Sequence, residues 1–162
     1  MISLLSQSSQ ISSLLPTTIV NSKIERRALN LYYHIVLKFE LFEGEITESE
    51  RLQIYKNLTG AARAAGGRVA AIGGADNHLH LLVGLEIGNA LGDFVAVLKL
   101  LSAALSARKV NYRKLVWLDQ YEAFTVSLSQ RERVRKYIRC QAVHHQQFGS
   151  GEDYASSWQR VC

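Results

Sequence analysis

Two histidines stand one residue apart, His78 and His80, inside the apolar run "DNHLHLLVG" (residues 76–84). Successive side chains of a strand alternate faces, so His78, His80 and Leu82 share one side while Leu79, Leu81 and Val83 share the other. The second set can pack on a helix. The first offers two neutral imidazoles as neighbouring ligands for one cation; the plain alternative is a pair of satisfied histidines on an open sheet face. Downstream, "VRKYIRCQ" (134–141) puts Tyr137 and Gln141 four residues apart, on one face of a helix. Gln141 can give a neutral carbonyl oxygen to a hard cation such as Mg²⁺ or Mn²⁺, and Tyr137, one turn away, is a candidate nucleophile. Against this stands the commoner case, a half-buried interface tyrosine and a solvated glutamine. A zinc site would want more Cys or His. The other histidines, His34, His144 and His145, lie far off in sequence, and the adjacent pair diverges by about 100° on a helix.

The elements that must position these residues are legible from periodicity and capping. "LNLYYHIVLKFEL" (29–41) is β-branched and aromatic and reads as a strand. Thr47 with Glu50 forms a capping box, opening a helix whose apolar stripe is Leu52, Tyr55, Leu58 and Ala62; Gly66 and Gly67 stop it. "RVAAIGG" (68–74) and "HLHLLVG" (78–84) predict a hairpin. Asn89 is placed to cap a second helix with the stripe Leu91, Phe94, Val95, Leu98, Leu101 and Leu105. "KLVWL" and "EAFTVS" predict two short strands, and Ser129 with Glu132 repeats the capping box ahead of a helix over about 130–146. On that helix Val134, Ile138 and Ala142 form a separate apolar stripe that can anchor it. The order is the split-βαβ, ferredoxin-like pattern of an α+β fold with one extra C-terminal helix, the one carrying the tyrosine.

The 162 residues suffice for one domain with a core, here 30–162, and are too few for two. Residues 1–29 are Ser-rich, lack the basic start of a secretory signal, and are expected to stay outside the fold. A hydrophobic fraction of 48% with 20% charged residues excludes a disordered chain, and no apolar run is long enough to span a bilayer. Cys140 and Cys162 with no CxxC fit free thiols in a reducing cytoplasm. The net charge of +5 suits a polyanion or, equally, a solvated basic surface.

"GGADNHLHLLVGL" (73–85) followed by "YEAFTVSLSQRERVRKYIRCQAVHH" (121–145), with "YYHIVLKF" (32–39) as first strand, resembles the single-tyrosine HUH transposases. These are the small insertion-sequence transposases and the REP-associated tyrosine transposases. The resemblance spans about residues 30–155. It implies a metal-dependent DNA transposase, with His78, His80 and Gln141 as metal ligands for Mg²⁺ or Mn²⁺ and Tyr137 as the nucleophile. It implies cleavage and rejoining of single-stranded, hairpin-containing DNA through a 5′-phosphotyrosine link. It further implies a homodimer, DNA held by Lys99, Arg108, Lys109, Arg113 and Lys114, and a phosphate held by Arg135 and Lys136. The residue before the first histidine, commonly Asp in that family, is Asn77 here. A protein of another class, a non-catalytic or domesticated nucleic-acid-binding protein on the same fold, is the alternative; the intact His78, His80, Tyr137 and Gln141 favour the enzyme.

Overall fold

A computed structural model describes residues 31–41, 46–74, 77–86, 88–107 and 115–141, so the extension 1–29 lies outside the described residues. The chain runs β1 (Tyr32–Leu41), α1 (Glu48–Ala64), β2 (Gly67–Gly74), β3 (His78–Leu85), α2 (Leu91–Ala107), β4 (Leu115–Val126), α3 (Arg131–Arg139). The four strands form one antiparallel sheet in the order β2-β3-β1-β4, the ferredoxin-like arrangement. None of the described helices is long and apolar enough to cross a membrane.

The alternation read from the sequence separates two faces. Ile35, Leu37 and Phe39 of β1 join Leu79, Leu81, Val83 and Leu85 of β3 in the main core, covered by Ile54, Leu58, Ala61 and Ala62 of α1 and by Phe94, Val95 and Leu98 of α2. On the opposite face Ala71, Leu82 and Val126 meet Val134, Tyr137 and Ile138 of α3 in a smaller cluster. Val134 and Ile138 anchor the helix as expected, while Ala142 lies outside the described residues.

The α1 capping box is present: the Thr47 hydroxyl accepts from the Glu50 amide at 3.3 Å and the Glu50 carboxylate accepts from the Thr47 amide at 2.8 Å. Gly66 ends the turn after α1 at φ +77°, and a Cβ there would run into the Asn89 amide. Gly67 already belongs to β2.

Several expected details differ. Leu52 is half exposed, because the buried stripe of α1 follows Ile54, Leu58, Ala61 and Ala62, and a residue two positions from Ile54 points about 200° away. On α2 the stripe continues from Leu98 to Ser102 and Ser106, which are buried while Leu105 is exposed. The Trp117 indole donates to the Ser102 hydroxyl at 2.9 Å, and Ser106 donates to the Ser102 carbonyl at 2.9 Å, so these polar positions are satisfied. Asn89 turns back to α1, donating to the carbonyls of Ala65 and Gly66 at 3.3 and 3.0 Å. The two predicted short strands are one, β4, broken by a bulge: Leu37 faces Tyr121 but Phe39 faces Trp117. Gln130, in helical conformation and without a side-chain bond, is the N-cap of α3. Ser129 pairs instead with the Ser127 hydroxyl at 3.0 Å, and Glu132 with Arg131 and Arg135.

Two contacts fix α3 on the sheet. Arg131 lies over the Tyr32 ring and donates to its hydroxyl at 3.1 Å. Gly73 admits the Ile138 carbonyl, which sits where a Cβ would be, with the Ile138 carbonyl carbon 3.0 Å from that position. This contact is backbone on backbone, so no rotamer can relieve it. Gly73→Ala should therefore push α3 off β2 and destabilise the fold by roughly 1–3 kcal/mol, read as a lower denaturation midpoint; an unchanged midpoint would contradict this packing.

Candidate active site

The face under α3 is built in rows across the strands, since directly paired residues present their side chains to the same side. One row is Ala71, Leu82, His34 and Phe124; the next is Gly73, His80, Val36 and Glu122; beyond it His78 stands opposite Lys38. Four polar side chains collect in this region with almost no exposure: His34 (3%), His80 (0%), Tyr137 (2%) and Gln141 (1%). His78 is buried too. The His78 and His80 rings are 5.1 Å apart between centroids and nearly perpendicular. The Tyr137 ring lies edge-on at 5.8 Å from His80 and 6.0 Å from His34 of its own chain.

The hydrogen bonds engage one nitrogen of each histidine. His78 Nδ1 is 2.8 Å from Asn77 Oδ1, and a carbonyl oxygen only accepts, so the proton is on Nδ1. In the neutral ring the lone pair is then on Nε2. His80 Nδ1 is 2.8 Å from His34 Nε2, with the two rings stacked at 5.1 Å. That engages Nδ1 and leaves Nε2, itself buried, as the nitrogen His80 can offer to another group. Sequence reasoning set His34 aside as too distant. Its signal was periodicity: Tyr32, His34, Val36 and Lys38 alternate on β1, and β1 is the strand paired with β3.

Gln141 is not solvated. It is buried four residues beyond Tyr137, past Cys140, the C-cap at which α3 ends short of the expected helix over about 130–146, and among the described residues neither its Oε1 nor its Nε2 has a hydrogen-bond partner. Burying an amide in that state costs about 1–3 kcal/mol per group, so the position needs a reason. Among the described residues no three His, Cys, Asp or Glu side chains converge as a metal-holding group, so His34 does not complete a histidine triad.

The basic residues divide. Lys99 is on α2, across the sheet from the histidines; its ammonium donates to the Leu118 and Asp119 carbonyls at 2.6 and 2.9 Å and lies over the Tyr121 ring. Burial lowers its pKa from the usual lysine value, against an opposing pull from the Asp119 carboxylate. Arg135 pairs with Glu132 at 2.6 Å, and Lys136 is exposed. Arg108, Lys109, Arg113 and Lys114 lie outside the described residues.

Strand β3, one of the two central strands of the antiparallel sheet, thus carries the histidine pair, and α3 brings Tyr137 against His80. The sequence profile of the family described as "Transposase IS200 like" matches residues 27–141, and the chain belongs to that family. Among solved structures it is similar to a candidate transposase from Deinococcus radiodurans, at 22% identity and a TM-score of 0.53, covering 75% of this chain and 98% of the other. It is also similar to a REP-associated tyrosine transposase bound to a REP hairpin, at 12% identity and a TM-score of 0.54, covering 77% and 74%. These two likenesses are of fold. A search of curated proteins finds no match.

Because Lys99 closes the carbonyls of the β4 bulge, Lys99→Met should cost roughly 1–2 kcal/mol of stability, allowing for its partial exposure. Urea denaturation checks this, and a neutral result would show that these carbonyls do not depend on the ammonium.

Proposed function

We propose that the chain is a metal-dependent transposase that cleaves and rejoins single-stranded, hairpin-bearing DNA through Tyr137. The observation that carries this reading is Gln141, fully buried with both amide atoms lacking hydrogen-bond partners among the described residues, four residues from a tyrosine packed against His80 of the histidine pair. His78, His80 and Gln141 would hold Mg²⁺ or Mn²⁺. The donor set fits: two imidazole rings whose Nδ1 atoms are already engaged, and an amide oxygen with no hydrogen-bond partner among the described residues. His34 would act as the positioning residue that keeps His80 presenting Nε2, and Asn77 does the same for His78. A divalent cation bound there would polarise the phosphodiester and offset the charge that develops on its oxygens.

The chemistry of the chain's own residues follows from type. The phenol oxygen of Tyr137 attacks phosphorus, a Tyr–O–P bond forms, the P–O3′ bond breaks, and the 3′-oxygen leaves as a hydroxyl while the phenol loses its proton. The 5′-phosphotyrosine conserves the bond, and attack by another 3′-hydroxyl reverses the exchange without ATP. A phenol with a pKa near 10 is a poor nucleophile at neutral pH, and the help would come from a cation at the histidines that polarises the phosphate it attacks. The hairpin named for the REP-associated neighbour supports hairpin DNA as the substrate class. Assembly as a homodimer is part of this reading and rests on the family resemblance alone.

Incubated with Mn²⁺ and a hairpin-bearing single strand, the protein should form an SDS-stable DNA adduct that Tyr137→Phe abolishes. An adduct on the Phe variant would remove Tyr137 from the role. Binding without an adduct on any hairpin tested would instead mark a non-catalytic DNA-binding protein.

Gln141→Met separates metal binding from packing. It removes two buried unsatisfied atoms, so the metal-free variant should be more stable by about 1–3 kcal/mol. Its Mn²⁺ affinity, read from the free-Mn²⁺ resonance, should fall roughly tenfold or more. A variant that keeps wild-type Mn²⁺ affinity would exclude Gln141 as a ligand.

A further inference from the structure

Beside the histidine pair, on the β1–β4 half of the sheet, is a pocket of about 230 Å³ lined by Val36, Lys38, Gln120, Tyr121 and Glu122. It forms where the bulge in β4 sets three residues, 118–120, against Lys38. Its place relative to the site is fixed by register: Val36 pairs directly with His80 and Lys38 with His78. Paired strands are about 4.8 Å apart, so the pocket adjoins the histidines. The Lys38 ammonium and the Glu122 carboxylate face each other in it at 3.9 Å, both about one-third exposed.

We propose that this pocket takes one unstacked base of the DNA strand, that of the nucleotide next to the phosphate held at the histidines, and that guanine is the base it fits. The proposal rests on the reading of the chain as an enzyme of single-stranded DNA. Against roughly 30 Å³ for a water in the liquid, the volume suits several waters or one flat ring system. A carboxylate beside the ammonium disfavours a phosphate and calls for a group that donates as well as accepts. The Watson–Crick edge of guanine has two adjacent N–H donors, N1 and N2, next to the O6 acceptor. The donors match the two oxygens of Glu122, and O6 matches Lys38. Adenine and cytosine give the carboxylate only an exocyclic amine, and thymine sets a carbonyl oxygen beside it. Val36 supplies an apolar floor for the ring. Single-stranded segments are the form of nucleic acid whose bases can be splayed into such a pocket.

The test uses the full chain, without added metal, and fluorescence anisotropy at one salt concentration. The probes are a fluorescein-labelled thymidine dodecamer and the same strand with one central dG, dA or dC; a homopolymer lets the protein choose the register that seats the odd base. The dG strand should bind about tenfold tighter than the all-dT strand. Glu122→Gln and Lys38→Met should each bring that ratio to within about twofold. Equal affinity for all four strands, a preference for dA or dC, or a dG preference that survives both substitutions would overturn the proposal while leaving the reading of the enzyme in place. If no strand binds, the single-stranded-DNA reading fails and the pocket assignment with it.

Discussion

The packing of α3 on β2 through Gly73 is the contact on which the polar face depends. A side chain at that position would occupy the space of the Ile138 carbonyl, so only glycine lets the helix backbone come this near the strand. From that approach follow the burial of Tyr137, its edge contact with His80 and His34, and the enclosure of Gln141 four residues on. Gly73 is also the register partner of His80, so the closest approach of helix to sheet falls in the row of the site itself. A helix a few ångströms further out would leave the same residues in water, where a histidine pair and a glutamine are ordinary surface groups.

The two faces of the sheet handle burial differently. One is an apolar core between the central strands and two helices, where removal of hydrocarbon from water supplies the stability. The other mixes a small apolar cluster with histidines, a phenol and an amide. Buried polar groups stabilise nothing unless they are paired, and here the pairing is uneven. Asn77 engages His78 and His34 engages His80, while the Gln141 amide has no hydrogen-bond partner among the described residues. That unevenness costs stability, which the main core on the other side offsets.

The β4 bulge ties the far edge of the sheet to the same purpose. It gathers the backbone carbonyls of Leu118 and Asp119 under the Lys99 ammonium on the helical side and opens the Lys38–Glu122 pocket beside the histidine rows. A lysine that the family resemblance assigns to DNA is thus used in folding, and an acidic residue with no evident role becomes part of the surface next to the histidines.

Elements and faces were legible in the chain because they are local. The period of two in "HLHLLVG" put His78 and His80 together on the side away from Leu79, Leu81 and Val83; the Thr47–Glu50 box started α1 at the right residue; and the strand–helix order allowed one familiar topology. The four-residue spacing of Tyr137 and Gln141 was legible too, although α3 ends at Arg139 and Gln141 lies just past its C-cap. What that reading missed required strands or helices to meet. His34 lies 46 positions from His80, and only the antiparallel pairing of β1 with β3 makes them hydrogen-bonded neighbours. Periodicity allowed Leu52, Leu105, Ser102 and Ser106 on either side of their helices, and the position of the sheet chose among them. Ser129 carried the right residue type for a cap, but Gln130 took that place in the turn after β4. By itself the sequence determined which residues could do chemistry and on which face of an element each would stand, since those follow from backbone geometry within one segment. Tertiary structure alone decided which were buried, that His34 engages His80 and which lysine is spent on folding, because burial and pairing are properties of surfaces brought together from distant parts of the chain.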